Sequence, residues 1–290
     1  MTITKNLAMI RVKEAGFYST IQDLGRFGFR HFGVPVSGVA DSVSAGRVNA
    51  LLENNPEDAI LEMTIQGAVL EFTEPTSICF GGAPMELFLG KDPLENDKVY
   101  RVLPNQILYC GRATKGLRTY LGIRGGFKVP KVLGSRSYFK TITNKQAIEV
   151  GDTIEYLPDT TFEPKILKWN HPEHIGQKNL RCSPGPEFQK LDQAVHERLF
   201  NRTFSLGKEF NRMGCQLEER LTEHAIRMVT SATLPGTVQL TPSGKLIILL
   251  CDGQTTGGYP RILQLNPEAL AVLAQKRNGD PVFFDPVDLK

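Results

Sequence analysis

Short apolar runs broken by turn-forming residues constrain the fold of this chain more than any other feature. Runs at 68–72, 77–80, 86–89, 99–102, 107–110 and 119–123 alternate with clusters of Gly, Pro, Asn and Asp. That rhythm predicts a mostly antiparallel β barrel or sandwich. The 27 glycines and 18 prolines fit the many tight turns such a fold requires. Three segments carry helix signals. One spans 41–52, with Asp41 or Ser42 as N-cap and Val43, Val48, Leu51 and Leu52 as its apolar stripe. A second follows Pro186, with Phe188, Leu191, Val195 and Leu199 on one face. A third starts at Pro267, carries Leu270, Leu273 and Ala274, and ends near Asn278-Gly279.

A break falls at 159–184, where Pro158, Pro164, Pro172, Pro184 and Pro186 cluster with Trp169, His171 and His174. It divides the chain into an N-terminal β lobe at 1–160, a Pro-rich connector at 161–185 and a C-terminal lobe at 186–290. Small Arg-Gly elements recur in both halves, Gly25-Arg26-Phe27-Gly28 early and Asn211-Arg212-Met213-Gly214 late, and hint at two related lobes.

The net charge of +3 is small and the basic residues are scattered, which disfavours nucleic-acid binding. No apolar stretch is long enough to span a bilayer, and residues 1–13 lack a signal-peptide core, so the expected location is cytoplasmic. Five cysteines without a CxxC pair read as buried, reduced thiols. Cys215 and Cys251 adjoin polar motifs and admit a nucleophile reading, although no His lies near them in sequence.

Chemistry concentrates in three stretches. After the buried run 246–250 comes Asp252-Gly253-Gln254-Thr255-Thr256-Gly257-Gly258-Tyr259-Pro260. It reads as a site lining or as a plain strand connection. Its glycines let backbone N–H groups approach a ligand that a Cβ would block. The stretch 20–41 holds Gln22, Asp23, Arg26, His31, Ser37 and Asp41 just before a helix N-terminus, where orphan N–H donors favour an anionic or carbonyl-bearing ligand. The alternative reading is structural: Asp23 pairs with Arg26, Asp41 caps the helix and His31 packs. The third stretch contains Arg124 before two glycines, then Ser135-Arg136-Ser137, both suited to a carboxylate or carbonyl. His171 and His174 have metal-like spacing but no evident third ligand. No phosphate-loop, nucleophile-elbow or HExxH pattern is present.

Taken in order, Thr20-Ile21-Gln22-Asp23-Leu24-Gly25-Arg26, Gly33-Val34-Pro35-Val36-Ser37-Gly38, Arg124-Gly125-Gly126, Leu133-Gly134-Ser135-Arg136-Ser137, Asn211-Arg212-Met213-Gly214 and the 252–260 stretch resemble one family. It is that of allophanate hydrolase subunit 2, also called KipA-like or the C-type subunit of 5-oxoprolinase, and often labelled a biotin-dependent carboxylase. It is similar to part of the carboxyltransferase region of urea carboxylase. The resemblance implies a mainly β chain of two cyclophilin-like β-barrel lobes with a few short helices. It implies an ATP-dependent amide hydrolase that opens 5-oxoproline to glutamate together with a KipI-like, B-type partner and an A-type partner, and that is inactive as an isolated chain. ATP is then held by, or shared with, a partner subunit.

Two other functions remain open. One is a carboxyltransferase that moves a carboxyl group from carboxybiotin to a urea- or amide-like substrate. The Met-Lys-Met biotin segment is absent, so biotin would arrive on another protein. The other is a KipA-type regulatory protein that controls a KipI-like partner. The candidate catalytic residues are Asp23, Arg26, His31, Arg212 and Asp252. Candidate substrate contacts are Gln22, Ser37, Arg124, Ser135, Arg136, Gln254, Thr255, Thr256, Gly257 and Tyr259. Asn211 stands where the family commonly has Asp, Leu240-Thr241 replace a Val-Pro pair, and Gly253 fills a position that is often larger. An amide cannot act as a base, so position 211 is structural in this reading.

Overall fold

The computed structural model describes residues 7–165 and 174–287. It is mainly β, and the chain forms two compact units. One unit takes residues up to Gly25 together with Ser37–Ile175; the other takes Arg26–Val36 together with Gly176 onward. The segment Arg26–Val36 therefore belongs with the C-terminal unit, a grouping that spacing along the chain did not reveal.

In the first unit the strands are β1 (Ala8–Glu14), β2 (Tyr18–Gln22), β3 (Ile60–Thr64), β4 (Val69–Phe72), β5 (Thr76–Gly82), β6 (Met85–Leu89), β7 (Asp92–Pro93), β8 (Val99–Val102), β9 (Ile107–Ala113), β10 (Arg118–Ile123) and β11 (Thr153–Tyr156). They make a six-stranded sheet, β11-β1-β4-β9-β6-β7, and a five-stranded sheet, β2-β3-β10-β5-β8. Strand β6 alternates buried and exposed residues because only one face meets the core. Strands β5 and β10 are buried along their whole length, since helix α1 (Ser42–Leu51) covers the second face. Glycines make that covering possible. A Cβ on Gly81 would stand 2.6 Å from Val48, and one on Gly122 would stand 2.4 Å away, so Val48 of the helix sits in a groove only glycine leaves open. Asp41 is the N-cap, accepting from Ser44 N at 2.9 Å. The buried side is Ser44, Ala45, Val48 and Leu51 with Leu52; Val43 is half-buried, off the expected stripe.

The second unit holds β12 (Asn179–Pro184), β13 (Phe204–Phe210), β14 (Gly214–Leu217), β15 (Ser231–Ala232), β16 (Thr237–Leu240), β17 (Leu246–Leu249), β18 (Thr256–Gly257), β19 (Arg261–Leu265) and β20 (Pro281–Pro286). Seven of them close a barrel in the order β12-β19-β16-β17-β14-β13-β20, while β15 and β18 form a separate ribbon. Closure uses one parallel pair, β12 with β20, from Asn179↔Phe283 to Cys182↔Pro286. The barrel core is apolar, built on residues such as Leu180, Phe204, Leu206, Val238, Ile248, Leu263 and Phe284.

Two helix expectations need correction. After Pro186 the chain makes a short 3-10 turn, Phe188–Lys190, before helix α2 (Gln193–Phe200). Leu191 is extended and Asp192 starts the helix, so Phe188 and Leu191 reach the core from outside it. Helix α3 (Pro267–Ala274) has Pro267 in its first turn and Asn266 capping Ala269 N at 2.8 Å, but it ends at Gln275, short of Asn278-Gly279. Gly279, at φ +82°, belongs to the turn that follows.

None of the five cysteines forms a disulfide, and burial pushes the Cys79 and Cys182 thiols up to about 12, far from a thiolate at neutral pH. No helix among the described residues is long and apolar enough to cross a membrane.

Candidate functional site

In the first unit the polar residues gather where edge strand β2 ends. Asp23 is the hub. Its Oδ1 accepts from Ser135 Oγ at 2.6 Å, Ser137 Oγ at 2.7 Å and Gly25 N at 2.8 Å, while Oδ2 accepts from Arg136 N at 2.6 Å. Ser137 Oγ in turn accepts from Asp23 N at 3.1 Å. The carboxylate thus ties the turn after β2 to a loop more than a hundred residues away, and its oxygens are occupied. The Arg136 guanidinium donates to Val129 O.

Gln22 and Ser37 differ from Asp23 in being incompletely satisfied. Gln22 is fully buried; its Nε2 donates to Thr20 Oγ1 at 3.0 Å and Tyr138 O at 3.4 Å, but its Oε1 has no partner. Ser37 Oγ is also buried without a partner, and Ser37 holds φ +57°, uncommon for a residue with a Cβ. Gly38 follows at φ +81°, where a Cβ would stand 2.8 Å from Leu24 O, and Val39 N donates to Asp23 O at 3.0 Å. The loop carrying Ser37 therefore lies against the turn carrying Asp23. Unmet buried polar atoms cost about 1–3 kcal/mol each, so their coincidence at one loop pair is a ligand signal.

Behind this loop runs a buried network that sequence reasoning missed. Glu62 Oε2 accepts from Ala40 N at 2.8 Å and Tyr120 OH at 2.9 Å, and its Oε1 lies 3.6 Å from Arg118 Nε. The Tyr120 hydroxyl accepts from Asp41 N, and Asp41 Oδ2 meets His174 Nε2 at 2.8 Å. Burial first, then the neighbouring carboxylates of Glu62 and Asp41, holds the Tyr120 hydroxyl well above its ordinary pKa, so it stays a donor. The available signal was a charge inside an apolar run, Ile60-Leu61-Glu62-Met63. Of the expected histidine pair, His171 lies outside the described residues, and His174 is bound to Asp41. Arg124 does not join the polar cluster: its Nη1 donates to Leu52 O and Glu53 O at 2.7 and 2.5 Å, closing the C-terminal end of α1.

In the barrel unit Arg212 and Asp252 form a buried fork, with Nε to Oδ2 at 2.8 Å and Nη2 to Oδ1 at 3.4 Å. Asp252 N also donates to Arg212 O at 2.9 Å, so the pair fixes the start of the 251–260 loop on the β13–β14 turn. Beyond it, Thr233 clasps the loop through Oγ1 to Gln254 O at 2.6 Å and N to Thr255 O at 3.0 Å. Gln254, Thr256 and Tyr259 are exposed, and Gly257 packs over Gln239. Arg26 is completely buried, with its N–H on Val36 O at 2.7 Å. His31 is exposed, its ring centroid 3.9 Å from that of Phe32. Arg30, Thr233 and Gln239, absent from the expected set, stand beside these residues: Arg30 donates to Thr233 O, and Gln239 lies under Gly257. Among the described residues no cluster of three or more His, Cys, Asp or Glu is placed to hold a metal.

A family model described as the carboxyltransferase domain, subdomain A and B, matches residues 32–286. The C-type subunit of Haemophilus influenzae 5-oxoprolinase is 32% identical over 289 residues, covering 97% of this chain and 92% of that protein. The crystal structure of TTHA0988 superposes with a TM-score of 0.86 at 25% identity, over 97% of this chain and 56% of that one. That of the K. lactis urea amidolyase superposes with a TM-score of 0.87 at 25% identity, over 99% of this chain and 19% of that one. The chain spans little more than half of TTHA0988 and about a fifth of the amidolyase, but nearly all of the Haemophilus protein.

Proposed function

The chain belongs to the carboxyltransferase-domain family, subdomains A and B, and from that premise we propose that it is the C-type subunit of a 5-oxoprolinase. In this reading it works with an A-type partner and a KipI-like, B-type partner to open 5-oxoproline to glutamate at the expense of ATP. It is inactive alone. The observation that carries the reading is the match to the Haemophilus influenzae protein along 97% of one chain and 92% of the other. Five cysteines without a disulfide support a reducing, cytoplasmic setting.

Among the described residues, the arginines expected at the site do not fit a nucleotide site. A triphosphate calls for several available cations or a glycine loop with outward N–H groups. Arg124 is engaged by the carbonyls after α1, Arg136 by Val129, and Arg212 by Asp252. Gly81 receives Val48. In this reading ATP is held by, or shared with, a partner subunit.

What this chain supplies is recognition of an amide. A lactam presents a carbonyl acceptor and an N–H donor. Ser37 Oγ–H complements the first and Gln22 Oε1 the second, and both atoms are buried without partners. Asp23, Ser135 and Arg136 act as positioning residues that hold this loop pair; Arg212 and Asp252 do the same for the 251–260 loop.

A second reading, carboxyl transfer to a urea-like substrate, draws on the likeness to the K. lactis amidolyase. Biotin on another protein is required only there. Avidin added to the assembled complex should leave glutamate formation unchanged; loss of glutamate on adding avidin would favour carboxyl transfer.

A further inference from the structure

In the barrel unit Gln239 and Arg30 each bury one polar atom without a partner, and one short ribbon lies beside both. Gln239 on β16 is 1% exposed. Its Nε2 reaches Tyr259 O at 3.5 Å, and its Oε1 has no partner. Turning the amide over would set oxygen against that carbonyl and orphan the nitrogen instead, so one end is unmet in either orientation. Arg30 donates through Nη2 to Thr233 O, while its Nη1 is buried without a partner. Burial pushes the Arg30 guanidinium below its ordinary value, and no carboxylate among the described residues pairs with it. Gly257 links the two groups. A Cβ there would stand 2.4 Å from Gln239 Nε2 and 3.3 Å from Thr233 Cγ2, so only glycine lets the ribbon lie over the amide beside Thr233.

We propose that Arg30, Thr233, Gln239 and Gly257 form a binding site for a small carboxylate with a neighbouring N–H donor. Both 5-oxoproline and L-glutamate have this chemistry. The guanidinium takes the carboxylate in a charge-assisted contact, and Gln239 Oε1 accepts the N–H. A carboxylate alone leaves Gln239 unmet, and a neutral amide leaves Arg30 without a counter-charge. The ligand enters by parting β15 from β18, which pair only at Ser231↔Gly257 and Ala232↔Thr256. A ribbon so short adds little stability of its own. The site stands on these two orphaned groups and does not depend on the oxoprolinase reading.

Calorimetric titration of the full chain with 5-oxoproline, L-glutamate, 2-pyrrolidone and acetate tests it. Saturable binding of one or both amino-acid ligands is expected, with pyrrolidone and acetate at least about tenfold weaker, because each lacks one recognised group. Preference for 5-oxoproline marks a second lactam-binding site in this chain, and preference for glutamate a product site. Gln239→Leu removes an unmet polar atom, so it should keep the melting temperature while lowering affinity about tenfold. Arg30→Gln, at a half-buried position, should abolish the preference for carboxylates over pyrrolidone and carries the test alone if the leucine variant does not fold. Unchanged binding in the variants overturns the site, as does the absence of saturable heat from every ligand up to about 10 mM. Glutamate formation by the assembled complex, with binding unchanged in the variants, would remove this site and leave the functional reading standing. Variant-sensitive binding without glutamate formation would do the reverse.

Discussion

Asp23 has four donors converging on its carboxylate, two of them backbone N–H groups that cannot rotate away. Asp23→Asn must therefore set an NH2 group against Gly25 N–H or Arg136 N–H. The expected cost is about 1–3 kcal/mol, read as a lower urea midpoint; an unchanged midpoint would contradict the positioning role. Arg212 and Asp252 make a second such unit. Arg212→Leu strands a buried carboxylate and should cost about 3–5 kcal/mol, whereas replacing both residues with Leu should cost less than the two single changes combined. Additive single effects would contradict the pairing. These residues were legible as polar clusters in the sequence, but their partners were not. Asp23 looked ready to pair with Arg26, three residues away, yet it bonds to Ser135 and Ser137 across more than a hundred residues. Arg124 looked like an anion cradle for a ligand, yet its neighbours in space are the carbonyls of Leu52 and Glu53, just past α1, and the Asp159 carboxylate at 3.7 Å.

At the scale of elements, α1 rests on its sheet through Val48 in the groove of Gly81 and Gly122. Gly122→Ala should overpack that contact by about 1–3 kcal/mol, and Val48→Ala in the same chain should recover part of the loss. Denaturation of the three variants checks this, and absence of any rescue would contradict the contact. A second fastening holds the Phe188–Lys190 turn to β19. Glu187 accepts from Arg261 N at 2.9 Å, Nε at 3.0 Å and Nη2 at 2.9 Å. Side-chain hydrogen bonds from Arg261, ahead of other causes, hold the Glu187 carboxyl below its ordinary value. A depressed carboxyl stabilises the fold above its unfolded pKa and loses that effect as pH falls through the folded one. Glu187→Gln should therefore destabilise at pH 7 and lose that penalty progressively as pH falls below the ordinary glutamate value of about 4.3; an equal penalty throughout would contradict the clasp. Elements with local signals were legible: Asp41 and Pro267 announced two helices, and the apolar run before Cys251 announced β17. The start of α2 was not, because Phe188 and Leu191 are buried without being helical.

At the scale of the whole molecule, the β rhythm was visible from turn spacing, while closure of the barrel was not. Closure rests on the parallel pair β12–β20, whose strands lie about a hundred residues apart and leave no local trace. The same holds for Arg26–Val36, which sits early in the chain and belongs to the later unit. Membership of this chain in a 5-oxoprolinase is likewise a property of the assembled protein. Its most direct test is glutamate formation from 5-oxoproline and ATP by the co-expressed A-type, B-type and present chains, with each omitted in turn. The account predicts ATP-dependent glutamate that disappears without this chain and that this chain alone does not produce. Undiminished glutamate from the partners alone, or none from a folded three-component assembly, would contradict it.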